Sequence, residues 1–112
     1  MRLEIKKYLF DILKATEDIK QYTSGLEYSD FIRNGMVQAA VERKFQIIGE
    51  ALNRIKSLEE SILNGISEHR RIIAFRNIIV HGYDAIDTEI VWDAIENHLP
   101  KLEEEVEQLL SA

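Results

Sequence analysis

Arg76, Asn77 and His81 are the residues with the most chemistry to offer. An imidazole gives or takes a proton near neutral pH, a guanidinium is a permanent cation shaped for phosphate, and an amide donates and accepts hydrogen bonds. They lie in the stretch Ile72-Ile73-Ala74-Phe75-Arg76-Asn77-Ile78-Ile79-Val80-His81-Gly82-Tyr83, where seven of the nine residues before His81 are apolar. A helix there is apolar on nearly every side, which implies burial on more than one face. A cation and an amide at its centre are costly unless both are paired or open onto a polar crevice, between helices or between subunits. On a helical wheel Asn77 and His81 share a face, about 40° apart, whereas Arg76 and His81 diverge by about 140°. Arg76 must therefore reach round with its long side chain, or the helix must loosen at its end. Gly82 is the expected stop, in a left-handed position after the last turn. His81 then occupies that turn, where free carbonyls favour imidazolium.

The spacing alone is equally compatible with a salt bridge from Arg76 and a packed His81. The longer string Arg76-Asn77-x-x-x-His81-Gly82-Tyr83 resembles the motif of the HepT-like branch of the HEPN superfamily, in which Arg and a polar neighbour precede His, with Tyr two residues beyond it. The segment Val41 to Ala51, with Ile48-Gly49-Glu50-Ala51, is similar to that family's second long helix, and Ile90-Val91-Trp92 with Leu99-Pro100 resembles its last one. Nearly the whole chain is covered. The departure is Ser67-Glu68-His69, where family members often carry Pro-Trp ahead of the basic pair.

The resemblance implies a metal-independent endoribonuclease toxin of a type VII-like HepT/MntA toxin–antitoxin system. His81 is then the acid/base, Arg76 stabilises the phosphate, and Asn77 orients the ring or donates to phosphate. Tyr83 is implied as the position adenylylated by an MntA-type nucleotidyltransferase antitoxin. RNA cleavage without metal needs a base, an acid and a cation. One chain has one His and one Arg in the motif; two chains about a two-fold axis supply two of each, so a homodimer with a composite site is expected. The competing function is a non-catalytic HEPN subunit that holds a nucleotide or substrate for a nucleotidyltransferase. Glu50 is read either as a residue of a solvated helix face or as cleft support that holds Arg76.

The elements that must position these residues are helices. Apolar residues at spacings of three and four predict an amphipathic helix over residues 2 to 22, ending at Gly25, and a second from about Asn34 to Ser57. Gly49 inside the second costs about 1 kcal/mol against Ala, so a close approach by another helix is expected there. A short turn over 59–64 leads to the central helix, with Ser67 as its expected cap. Asp87 caps a last helix that runs to the C-terminus, kinked at Pro100. The expected fold is all-α, an antiparallel four-helix bundle with short extra helices, HEPN-like and homodimeric, in one domain spanning 1–112.

Apolar residues at 46% and charged ones at 30% fit an ordinary folded protein, and no apolar run is long enough to cross a membrane. A cytoplasmic location follows as the expectation. There is no cysteine, and no His-Glu-x-x-His, so no metal or cofactor is expected. A net charge of −6 excludes a generally basic RNA-binding surface; any RNA contact must be local, around Arg43, Lys44, Arg54, Arg70, Arg71 and Arg76.

Overall fold

The computed structural model describes residues 1–82 and 87–112. Four long helical segments form the expected all-α bundle: α1 (Leu3–Thr23), α3 (Gly35–Glu59), α4 (His69–His81) and a last segment made of α5 (Thr88–Asp93), a π-turn (Ala94–His98) and α6 (Leu99–Ser111). A short α2 (Tyr28–Phe31) and a 3₁₀ turn (Glu60–Gly65) are the extras. No strand occurs among the described residues, and none of their helices is long and apolar enough to cross a membrane.

The periodicity explains the core. Ile5, Leu9, Ile12 and Ile19 of α1 and Val41, Phe45, Ile48, Leu52 and Ile55 of α3 are all fully buried, at spacings of three, four and seven that keep one face inward. α3 is the centre of the bundle, packed on α1 along one side and on α4 along the other. The edge of the Phe75 ring meets Phe45 with centroids 5.0 Å apart, which sets the depth of α4 against α3. At 19 Å in its shortest dimension the molecule is about two helix diameters thick, so each helix keeps an outward face.

The ends follow local rules, with three exceptions. Gly25 has φ 77°, the left-handed conformation expected after α1, and the Asn34 side chain accepts from the Val37 N–H at the start of α3. Asp87 caps α5 through the Glu89 N–H at 2.8 Å. Ser67, in contrast, does not cap α4, which begins at His69; its N–H and hydroxyl both donate to the Glu105 carboxylate of α6. The kink expected of Pro100 is taken up just before it, because the π-turn absorbs an extra residue and leaves Pro100 in the first turn of α6, where no N–H is needed. Gly82 is the third exception and belongs to the site.

The start of α4 is pinned to the last segment. His98 lies between Glu68 (Nδ1 to Oε2, 3.1 Å) and Asp93 (Nε2 to Oδ2, 3.2 Å), and Arg71 also reaches Glu68, at 3.2 Å. The Asn97 amide donates to Asp93 and holds its carboxyl below the usual carboxylate range. Trp92 packs on Phe31 and Tyr28, with centroids 5.1 and 6.2 Å away, in the aromatic seam that closes α2 onto α5.

A polar clasp joins α1 to α3. Asp18 accepts from Lys14 at 2.7 Å and faces Lys44 at 3.0 Å, and these two ammonium groups, Lys14 first, hold its carboxyl below the ordinary 3.8. A lowered carboxyl pKa stabilises the fold above the unfolded value, and that stabilisation disappears as pH falls through the lowered one. Asp18→Asn is expected to cost about 1 kcal/mol at pH 7 and to flatten the acid limb of stability. Urea midpoints of both proteins at pH 7 and pH 3 check this; parallel pH dependences would contradict it.

Candidate active site

α4 divides the expected site between two surfaces. Ala74, Asn77, Ile78 and His81, at intervals of three, four and seven, form one exposed stripe. Ile72 and Phe75 face the core, so within one chain the helix is buried on a single side. The second burial surface expected from its apolar composition is open: Ile78 is 53% exposed, and Ile90 of α5 beside it 54%. These two isoleucines and Ala74 border a cleft of about 230 Å³ between α4 and the last segment.

Arg76 turns toward α3. A Cβ built on Gly49 would lie 2.3 Å from the Arg76 Cβ and 2.6 Å from its Cγ, so the missing side chain of Gly49 is what lets the arginine stem lie against the helix backbone. This is the close approach that Gly49 predicted. The guanidinium then meets two anchors. Nη1 donates to the Asn77 Oδ1 at 3.1 Å, and Nη2 faces the Glu50 Oε1 at 3.7 Å, an ion-pair contact longer than a hydrogen bond. Glu50 in turn accepts from the Gln46 Nε2, at 3.2 Å, on that same oxygen. Nε is buried with no partner among the described residues. Of the five guanidinium N–H groups, one on Nη1 is engaged in a hydrogen bond among the described residues, so each terminal nitrogen keeps at least one N–H for a ligand. The side chain is 22% exposed, so these donors are within reach of solvent.

The helix stays regular to His81 rather than loosening, and the Arg76 side chain reaches its neighbour Asn77 and Glu50 of α3 rather than His81. Glu50 faces the Arg76 guanidinium, and its side chain is also 42% exposed, so it lies on a solvated face and beside the arginine at once. His81 stands one turn beyond Asn77 on the exposed stripe, so Asn77 is the residue that touches both surfaces. Gly82 corrects the expectation of a left-handed stop. Its φ of −74° and ψ of 133° are extended, and its N–H closes the last turn on the Ile78 carbonyl at 2.8 Å. The helix ends because the chain straightens, so the glycine's freedom is not called on at this point. Tyr83 and Asp84 lie outside the described residues. Gln46 was missed; its spacing of four from Glu50, next to Gly49, was the available signal. The clustered cations also separate, since Lys44, Arg71 and Arg76 each face a carboxylate.

A family model described as "Ribonuclease HepT-like" matches residues 12–109, across all of these elements. The chain belongs to the HepT-like ribonuclease family. Among curated relatives of this HepT-like protein, a candidate RNase of Methanocaldococcus jannaschii is 34% identical over 105 residues, covering 93% of this chain and 94% of the relative. A Thermococcus cleftensis protein named "Probable ribonuclease HepT" is 30% identical over 109 residues, covering 97% and 98%. No solved structure matches the chain. Arg76, Asn77 and His81 therefore lie on a single helix within the span that the HepT-like family model matches.

Proposed function

We propose that this protein is a metal-independent endoribonuclease, the toxin of a HepT/MntA-type toxin–antitoxin pair, with an Arg-x4-His site completed by a second copy of the chain. The observation that carries this reading is the α4 stripe, on which two exposed apolar residues, Ala74 and Ile78, alternate with Asn77 and His81. An apolar strip left open on a small domain asks for a partner. A two-fold partner on this strip brings its own Asn77 and His81 to the same seam. One imidazole then takes the proton of the 2′-hydroxyl as that oxygen attacks phosphorus, and the protonated imidazole of the other chain gives its proton to the departing 5′-oxygen. The products are a 2′,3′-cyclic phosphate and a 5′-hydroxyl. Arg76 carries the developing phosphorane charge with its two unengaged donors, in a bidentate contact. Tyr83, two residues beyond His81, is the position for adenylylation by an MntA-type nucleotidyltransferase antitoxin. A nucleotide there adds negative charge and bulk beside the imidazole and repels RNA phosphate.

The purified chain in EDTA is expected to cleave RNA and leave cyclic phosphate ends; absence of cleavage defeats the catalytic reading in favour of a binding subunit. Ile78→Asp tests the composite site. It is expected to yield a folded monomer that has lost cleavage by about 100-fold or more, because each chain alone lacks half of the acid–base pair. Sedimentation and a cleavage assay on the same sample decide it, and a fully active monomer sinks the two-chain site.

A further inference from the structure

We propose that Gln46 is a positioning residue for Arg76, acting through Glu50. The inference rests on the ribonuclease reading and extends the site from α4 onto α3. Gln46, Gly49 and Glu50 fall at intervals of three and four on one face of α3, the face that receives the stem of Arg76. Gly49 fixes how deep the stem lies, and leaves only the guanidinium tip to be aimed. Asn77 holds one terminal nitrogen and Glu50 the other, so two anchors define the plane of the group. A planar fork is useful to phosphate only when that plane is fixed.

Glu50 by itself is a weak anchor. It is 42% exposed and 3.7 Å from the Arg76 Nη2, and a surface pair of this kind is screened and free to change rotamer. The Gln46 amide removes that freedom. It donates at 3.2 Å to the oxygen that faces the guanidinium, and so keeps Oε1 on the arginine side. The relay runs from Gln46 to Glu50 to Arg76 to Asn77. The Gln46 side chain shares no hydrogen bond with Arg76, Asn77 or His81; its effect on RNA passes through the orientation of Arg76.

The test compares Gln46→Met, which keeps shape and helix propensity but loses the donor, with Gln46→Glu, which puts two carboxyls in contact. The first readout is the Arg76 Nε–H resonance in the free full-length protein, identified by its loss in Arg76→Lys. Burial of Nε predicts slow exchange in the wild type and exchange faster by about tenfold in Gln46→Met, in proportion to the loss of one hydrogen bond to a charged group. The second readout is cleavage: kcat is expected to fall about tenfold in Gln46→Met with KM nearly unchanged, as for an interaction used in the transition state. The third is a pH profile. At low pH the introduced carboxyl is protonated and donates to Glu50 as the amide does; at high pH the two carboxylates repel. The activity of Gln46→Glu relative to wild type is therefore expected to rise at least about threefold as pH falls from 7 to about 4.5, through the ordinary carboxyl range, while that of Gln46→Met stays flat. A merely structural role moves melting temperature but not this ratio. An unaltered Arg76 resonance with unaltered kcat in Gln46→Met, or a flat Gln46→Glu ratio, overturns the inference. If the wild type does not cleave RNA, the ribonuclease reading fails and the resonance alone decides whether Gln46 positions Arg76.

Discussion

His81→Ala is expected to lower RNA cleavage by about 10³-fold or more while leaving the fold intact. His81 is the exposed last residue of α4, on the open stripe, so its removal creates no cavity in the single chain. Exposed substitutions of this kind usually move stability by less than about 0.5 kcal/mol. The chemical loss is large because, on the proposed two-fold site, one substitution removes the acid and the base together, and each positioned proton transfer contributes about 10²–10⁴-fold. Residual activity should come from the arginine and from binding, since residues that act as a unit do not contribute additively. The measurement is the rate of cyclic phosphate formation, with circular dichroism melting beside it. A variant within tenfold of wild type would remove the imidazole from the mechanism.

The second large effect is expected from Gly49→Ala, a single methyl added to the buried face of α3 where α4 packs on it. The new Cβ would lie 2.3 Å from the Arg76 Cβ, a distance no real contact reaches, and both atoms are fixed to backbone. Neither rotamer can relieve this, so α4 and α3 must move apart or slide. Overpacking of that sort costs about 1–3 kcal/mol. Alanine returns about 1 kcal/mol of helix propensity, so the net loss of stability should be small. Function should suffer more, because a displacement of about 1 Å in a charge-stabilising group costs about 10²-fold in rate. The expected pattern is a nearly normal melting curve with cleavage reduced about 100-fold. Full activity in a well-folded Gly49→Ala would show that the depth of Arg76 is unimportant. The contrast with His81→Ala is informative: one variant deletes a reacting group, and the other leaves every reacting group present and shifts one of them.

Both predictions depend on different kinds of information. The sequence by itself determined the helices, because the spacing of Ile5, Leu9, Ile12 and Ile19, or of Val41, Phe45, Ile48 and Leu52, is a local property with a period that only a helix satisfies. It also determined the candidate chemistry, since Arg76, Asn77 and His81 are adjacent along the chain and their family resemblance is written in consecutive residues. It flagged Gly49 as a place of close approach and Asp87 as a cap, both of which are rules about a residue and its near neighbours. What it could not say is which residue fills the space at Gly49, or that Gln46 and Glu50 back the arginine. Those depend on the register in which α3 and α4 pack, and register is set by whole helix faces interlocking, here by Phe45 against Phe75, with no mark in either helix taken alone. The same holds for Ser67, whose hydroxyl was free to cap α4 but found the Glu105 carboxylate of another helix at 2.7 Å. It holds for Gly82 too, whose backbone is extended where the residue type alone pointed to a left-handed stop. The tertiary structure also decided that the apolar wealth of α4 is spent on one side only, leaving Ala74 and Ile78 beside Asn77 and His81 in the open. A bundle two helices thick has no further layer of its own to cover them.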